Sequence, residues 1–342
     1  MRTTLQFIII LLASISLWTT SAEANCLVFA QNERLSNYCL LNEVSGKLMD
    51  GQTASVVVQR LQREGYFGGI SEPTWATKIA PSVTYSNNIN GGNPDKKLVL
   101  GNLEFDGDPN LVAKEGVIGN LNLSALNRVT FGEGDYITTS FAGTLSYSPE
   151  HDIGYSNASA SICSRNKLDD EFHIDVCGSF SHQNKEITED SAKTLNVSFN
   201  HLTQVPKFGY VDFSISALRS IQDDYAQNQL KATINMIHNN NWYGAFGLRK
   251  GEAVQNQLVL DVGLDIQFSR IVSGKKVDFR FAHEYQTGGK LFGVARTDKV
   301  TSVVASLPLN EDFNADIGFG ISDSSIDYFD RDFPIIGLTY QW

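Results

Sequence analysis

The chain has 342 residues, a formal net charge of −11 and 42% hydrophobic residues. The acidic balance argues against nucleic acid as a partner. With 28 glycines and 8 prolines the composition suits strands and tight turns, and after residue 24 no apolar run is long enough for a membrane-spanning helix, which excludes a helical membrane protein.

Residues 1–24 carry the parts of a cleaved secretory signal peptide. Arg2 gives the positive start, Phe7 to Trp18 the apolar stretch, and Ala22-Glu23-Ala24 a small-x-small cleavage site. Cys26 follows Asn25, where a lipid-attachment site needs Gly or Ala, so lipidation is not expected. The mature chain is therefore expected to be exported, and four cysteines fit an oxidising compartment. Residues 25–75 read as a small N-terminal periplasmic segment acting as a plug, lid or leader. Cys26 and Cys39 bracket a short polar stretch in it and are a candidate disulfide. Residues 53–65 read as one amphipathic helix, capped by Thr53 or Ser55, with Val57, Leu61 and Val58 on one face and Gly65 at its end.

From residue 76 to 342 the chain is a succession of alternating runs separated by turn signals. The clearest is 258–268, where Leu258, Leu260, Val262, Leu264, Ile266 and Phe268 oppose Val259, Asp261, Gly263, Asp265 and Gln267. Strands are expected near 77–87, 113–126, 134–148, 152–165, 171–183, 190–203, 207–220, 226–239, 241–250, 256–271, 275–287, 298–308, 312–322 and 333–342. Residues 97–105 are a further strand or a hairpin in the first loop. A soluble secreted β-sandwich binding protein also alternates. The runs here are longer than the roughly five or six residues of a soluble strand. Tyr85, Tyr147, Trp242, Tyr285, Tyr340 and Trp342 stand near run ends, as an interfacial girdle requires. The fold class expected is all-β: a transmembrane antiparallel β-barrel of about fourteen strands with a short helical periplasmic segment before it. An even count puts both chain ends on the periplasmic side, so that 88–112, 288–297 and 323–332 become the long external links.

Cys163 and Cys177 flank the turn near 167–170, and antiparallel pairing there sets them opposite each other on the polar face. A lumenal cross-strand disulfide is expected. A metal pair with His173 lacks a fourth ligand. No catalytic constellation, metal site or cofactor site is expected: His173 beside Asp175 is the one histidine facing the lumen, and no Gly-x-Ser-x-Gly elbow occurs. The remaining lumen charges are Asp212, Lys231, Arg249, Asp261 and Asp265. Asp278, Arg280, Glu284 and Asp316 complete them. Mixed in sign, they read as ion pairs bracing a narrow lumen or as a selectivity path. Loop 88–112 decides whether that lumen is open, by folding inward or by capping the outside.

In the last run Ile336, Leu338, Tyr340 and Trp342 share one face. This pattern resembles the C-terminal targeting signal of bacterial outer-membrane barrel proteins. The resemblance implies the outer membrane of a Gram-negative bacterium, with outer-membrane lipids and the barrel assembly machinery as partners. The stretch Ile79-Ala80-Pro81-Ser82-Val83-Thr84-Tyr85-Ser86-Asn87-Asn88-Ile89-Asn90-Gly91-Gly92 resembles the first strand of surface lipoprotein assembly modifier barrels. It implies a barrel of about fourteen strands and a surface lipoprotein as cargo. That family carries an N-terminal helical-repeat domain for cargo, and here residues 25–75 hold one expected helix. The function expected is translocation or transport, or surface-lipoprotein display. The alternative within the membrane is a passive porin-like channel or a structural surface barrel.

Overall fold

The computed structural model describes residues 26, 29, 32–46, 51–67, 72–100 and 103–340. The expected signal peptide and Trp342 lie outside the described residues. Two helices come first, α1 (Glu33–Ser45) and α2 (Gly51–Arg63). The strands are β1 (Thr74–Ser86), β2 (Lys97–Leu100), β3 (Leu103–Asp106), β4 (Gly116–Gly132), β5 (Asp135–Ser148), β6 (Ile153–Lys167), β7 (Phe172–Asn184) and β8 (Glu189–Val205). They continue as β9 (Gly209–Gln222), β10 (Ala226–His238), β11 (Trp242–Gly251), β12 (Val259–Val272), β13 (Lys275–Leu291), β14 (Val294–Pro308), β15 (Phe313–Ser324) and β16 (Arg331–Tyr340).

Fourteen of these strands form one closed antiparallel barrel, in which each pairs with its neighbours in sequence and β1 meets both β4 and β16. All fourteen expected strands are present. β2 and β3 form a separate hairpin within the first long loop. Closure is what the sequence demands: ten-residue and longer alternating strands leave little free edge once the sheet meets itself. Alternation sorts the side chains. Leu195, Ile215, Leu230, Phe246, Ile266, Ile317 and Ile336 stand outward and exposed, one after another around the wall. The opposite faces carry Ser, Thr, Asn and charged residues. Such an apolar exterior is stable only against lipid, and a closed ladder is the one sheet that spans lipid with every interior strand paired on both sides.

Two departures from the sequence reading have local causes. The link 288–297 is not long: β13 and β14 run on to a two-residue turn at Phe292-Gly293, both with positive φ (49° and 86°). That conformation matches the twist of a tight hairpin. The extension was masked because the register shifts between Gln286 and Gly289, with Gly288 at φ 92° absorbing the bulge. Asp261 is the second. A bulge between Leu260 and Val262 breaks the alternation there. The Asp261 carboxylate accepts from Lys250 Nζ, and Lys250 stands beside Leu195, Val197 and Leu230 on the outer face. Asp261 is therefore not a lumen charge.

Candidate functional site: a plugged lumen

The end of the barrel where β1 begins and β16 ends is called here the terminal mouth. α1 and α2 sit in it. α2 forms because Val57 and Leu61, one turn apart, both bury. α1 was not expected from sequence. Its apolar residues, Leu35, Cys39 and Leu40, are scattered among Ser, Asn and Glu rather than aligned in a stripe. Its signals are local: Asn32 caps it, accepting from Leu35 N at 3.0 Å, and Glu33 stands in the positive first turn. The Cys26–Cys39 disulfide ties the preceding chain to the middle of α1. Ser36 Oγ donates to the Cys26 carbonyl at 2.5 Å.

The apolar side of this unit packs against inward-facing residues at the terminal ends of four consecutive strands. Phe29, Leu35, Leu40, Val57, Leu61 and Tyr66 bury against Leu202, Tyr210, Ile237 and Tyr243. Each such side chain contributes about 1.5–3 kcal/mol of burial. Phe29 stacks on Tyr243 with ring centroids 6.3 Å apart, and Tyr38 meets Tyr210 edge-on at 6.1 Å. On the other side Gly134 N donates to the Gly65 carbonyl at 3.1 Å, fastening the unit to the β4–β5 turn. Burial pushes the Tyr66 phenol well above its ordinary value, so it stays neutral in the seam.

The polar end of α1 points up the lumen and meets the wall in a ring of ion pairs. Arg34 Nη1 lies 2.7 Å from Asp175 Oδ2, both side chains close to fully buried. Glu33 pairs with Arg128 and reaches Arg165 at 3.9 Å. Asn32 Nδ2 donates to Asp212 Oδ2 at 2.5 Å. Three cations (Arg34, Arg128, Arg165) thus face three carboxylates (Glu33, Asp175, Asp212). His173 is buried beside this ring, two residues from Asp175. Buried charges are tolerated only when paired in this way.

Above the plug lies a polar cavity of about 990 Å³, lined by α1 and by β6 to β12. Lys231, Arg249, Asp212 and Asp265 all line it, and so does Cys177. Cys163 and Cys177 are directly opposite in the β6–β7 ladder and joined as a disulfide. Arg249 binds Asp265 at 3.0 and 3.2 Å and Glu284 at 2.9 Å, a clamp across three strands. Asp278 lies 3.3 Å from Lys276 near the terminal mouth, and Asp316 accepts from Ser306 Oγ. Arg280 stands opposite Gln267 with its head exposed. These charges brace the wall; the structure brings none of them to the ring around α1 except Asp212. The sequence reading missed Arg34 and Glu33 because α1 itself was missed. Arg128 was missed because β4 was expected to stop at residue 126.

The far mouth is narrowed from the other side. Residues 88–92 fold inward, and Ile89 buries against Ile118, Ile153 and Tyr155 on the inner wall. Asn90 holds the bend, donating to the Val112 carbonyl at 2.9 Å and accepting from Lys114 N at 3.0 Å. Ile187 N donates to the Asn90 carbonyl at 3.0 Å, so the bend reaches the β7–β8 loop. A side chain at Gly91 would strike Thr188. The β2–β3 hairpin stays outside, with Phe105 stacked 6.4 Å from Phe292.

A closed wall, apolar outside and polar within, leaves one environment for it. This chain is a transmembrane β-barrel of the outer-membrane kind. No protein-family model and no curated protein sequence matches this outer-membrane barrel. Among solved structures it is similar to the Acinetobacter baumannii protein OccAB4, at 8% identity and TM-score 0.40, over 80% of this chain and 98% of that one. It is also similar to Pseudomonas putida OprB, at 6% identity and TM-score 0.42, over 83% and 95%. A third is CdiB from Acinetobacter baumannii, at 10% identity and TM-score 0.38, over 83% and 66%. Likenesses at this level carry no functional weight, and the assignment of the barrel rests on the wall itself.

Proposed function

We propose that this barrel is a gated translocation conduit of the Gram-negative outer membrane, closed at rest by its own N-terminal helices. The observation that carries the reading is the seating of α1. Its cap and first two residues, Asn32 to Arg34, are committed to ion pairs and hydrogen bonds with four wall strands, and the helices sit in the terminal mouth. A passive porin has no use for a buried, charge-paired stopper. The links at the terminal mouth run from two to four residues, whereas 87–115, 252–258 and 325–330 lie at the far mouth. Short turns inside and long loops outside support a periplasmic terminal mouth, so the plug is read as residues 25–75 working from the periplasm after residues 1–24 are removed. On this reading the assembly machinery recognises Ile336, Leu338, Tyr340 and Trp342, of which Ile336 and Leu338 face outward. The likeness of Ile79–Gly92 to surface lipoprotein assembly modifier barrels supports a surface lipoprotein as cargo. Such cargo would meet α1 and α2 where that family has its helical repeats.

Conductance in planar bilayers tests the gate. The full chain is expected to be silent except for rare openings, and a chain lacking residues 26–67 is expected to pass steady current. A full chain that passes the same steady current would make the barrel a passive porin.

A further inference from the structure

The wall has one weak seam. Among the described residues β1 and β16 are in register at three positions: Ser82–Thr339, Val83–Leu338 and Thr84–Gly337. Every other pair of neighbours in the wall is in register over nine residues or more, the shortest being β11 with β12. The seam ends upward at Thr84. Continued register would set Tyr85 against Ile336 and Ser86 against Ile335, and neither pair forms. Beyond Ser86 the chain leaves the wall and turns into the lumen, where Ile89 buries. Residues Arg331 to Ile336 of β16 therefore pair with β15 on one side and with no described residue on the other.

This stretch runs from the rim, marked by the exposed Arg331 and the outward Asp332, down into the apolar belt. Its partners on β15 include Ile321, Phe319 and Ile317, all outward and exposed. An unpaired backbone group in lipid costs several kcal/mol, so acyl chains cannot be its natural cover. Pro334 lies within the stretch, where a strand paired on both sides would lose a ladder bond. The inner wall beside the notch is mixed, with Ser302, Ser322 and Arg331 at inward register positions among apolar ones. Val300, Val304, Phe333 and Ile335 take inward register positions there, separated by Gly318 and Gly320. A side chain at Gly320 would strike the Phe333 ring.

We infer that the free edge of β16, Arg331 to Ile336, takes up an extended strand of another polypeptide, adding it to the wall through the notch beside β1. Backbone of another chain is the one partner that supplies a row of hydrogen bonds at that depth, by the strand addition seen wherever a sheet edge is left open. The incoming segment would carry apolar residues at alternate positions, that face turned to lipid and the other to the mixed inner wall. A second copy of this chain fits poorly. Two barrels inserted the same way up bring like edges together only in parallel, while every ladder in this wall is antiparallel. The choice of an exported polypeptide as partner rests on the translocation reading; the free edge does not.

The probe is a synthetic extended peptide of alternating leucine and threonine, carrying a benzophenone at its centre, added to the full-length protein in liposomes. Labelling is expected to map by mass spectrometry to residues 331–336. A twin peptide N-methylated at alternate residues keeps the side chains and loses the hydrogen bonds, and is expected to label at least about tenfold less. A Ser86→Cys, Ile335→Cys protein bridged by a bismaleimide is expected to lose labelling to the same extent, with each single-cysteine protein as its open control. The four native cysteines are disulfide-bonded and do not react. Labelling outside 331–336, equal labelling by the methylated peptide, or equal labelling of the bridged protein would overturn the inference. So would a barrel dimer formed without peptide when the benzophenone is carried at position 335 of the barrel instead. The bridge spans the far rim and leaves α1 seated, so failure here leaves the conductance result standing on its own.

Discussion

An Asp175→Ala protein is expected to conduct steadily where the parent is silent. Asp175 is the carboxylate that holds Arg34 at 2.7 Å, with the two side chains 8% and 11% exposed. Its removal leaves Arg34, Arg128 and Arg165 facing two carboxylates instead of three. Breaking a buried pair from one side costs about 3–5 kcal/mol because the surviving charge stays desolvated. A loss of about 3 kcal/mol shifts a closed-to-open ratio by about a hundredfold. Arg34→Ala should act in the same direction and less strongly, since Arg165 lies directly opposite Asp175 in the ladder and remains to face it. Arg249→Ala, which unclamps Asp265 and Glu284 on the wall above, should leave closure unchanged. Single-channel recording separates the three. Silence from Asp175→Ala in a folded barrel would mean that the apolar contacts of α1 and α2 hold the plug without the ring.

The second large effect concerns the wall. Ile215 lies in the middle of β9, outward and 66% exposed. An arginine there would stand at the bilayer midplane, at a cost of about 2–4 kcal/mol. Ser214 is one residue away, faces the polar cavity and lines it. Ser214→Arg should cost less than about 1 kcal/mol, because a solvated head lies within reach. Urea unfolding from lipid vesicles, followed by loss of the compact form on an unheated gel, measures both. Equal costs at the two positions would contradict the assignment of faces, and with it the placement of the wall in lipid.

Most of the wall is legible in the sequence because a strand writes its environment at every second residue. Leu264, Ile266 and Phe268 against Asp265 and Gln267 need no other information. The legibility fails where the period breaks. Asp261 follows the alternation on paper, and a bulge turns it to Lys250 on the outer face. Thr287 to Leu291 break the pattern with a Gly pair and still belong to β13. The plug was harder to read. α2 shows its buried stripe in Val57 and Leu61, whereas α1 is held by Asn32, a disulfide and charges on strands 141 residues away in sequence. The ring around Arg34 could be assembled only once the register placed Arg128, Arg165, Asp175 and Asp212 at one height in the lumen. The Cys163–Cys177 bridge was legible for the opposite reason, since a short hairpin fixes its own register.

The central claim is that α1 sits inside the terminal mouth of the inserted barrel, with its first turn against β7. An Arg34→Cys, Asp175→Cys protein tests it in isolated outer membranes. The two positions touch across the plug–wall interface, so a disulfide between them is expected to form in most molecules under mild oxidation and to shift the protein on a non-reducing gel. The disulfide replaces the ion pair it removes, so the oxidised double variant should be as silent in planar bilayers as the parent, and reduction should open it. No cross-link in the double variant would show that the helices lie outside the barrel and that the lumen is closed, if at all, by something else.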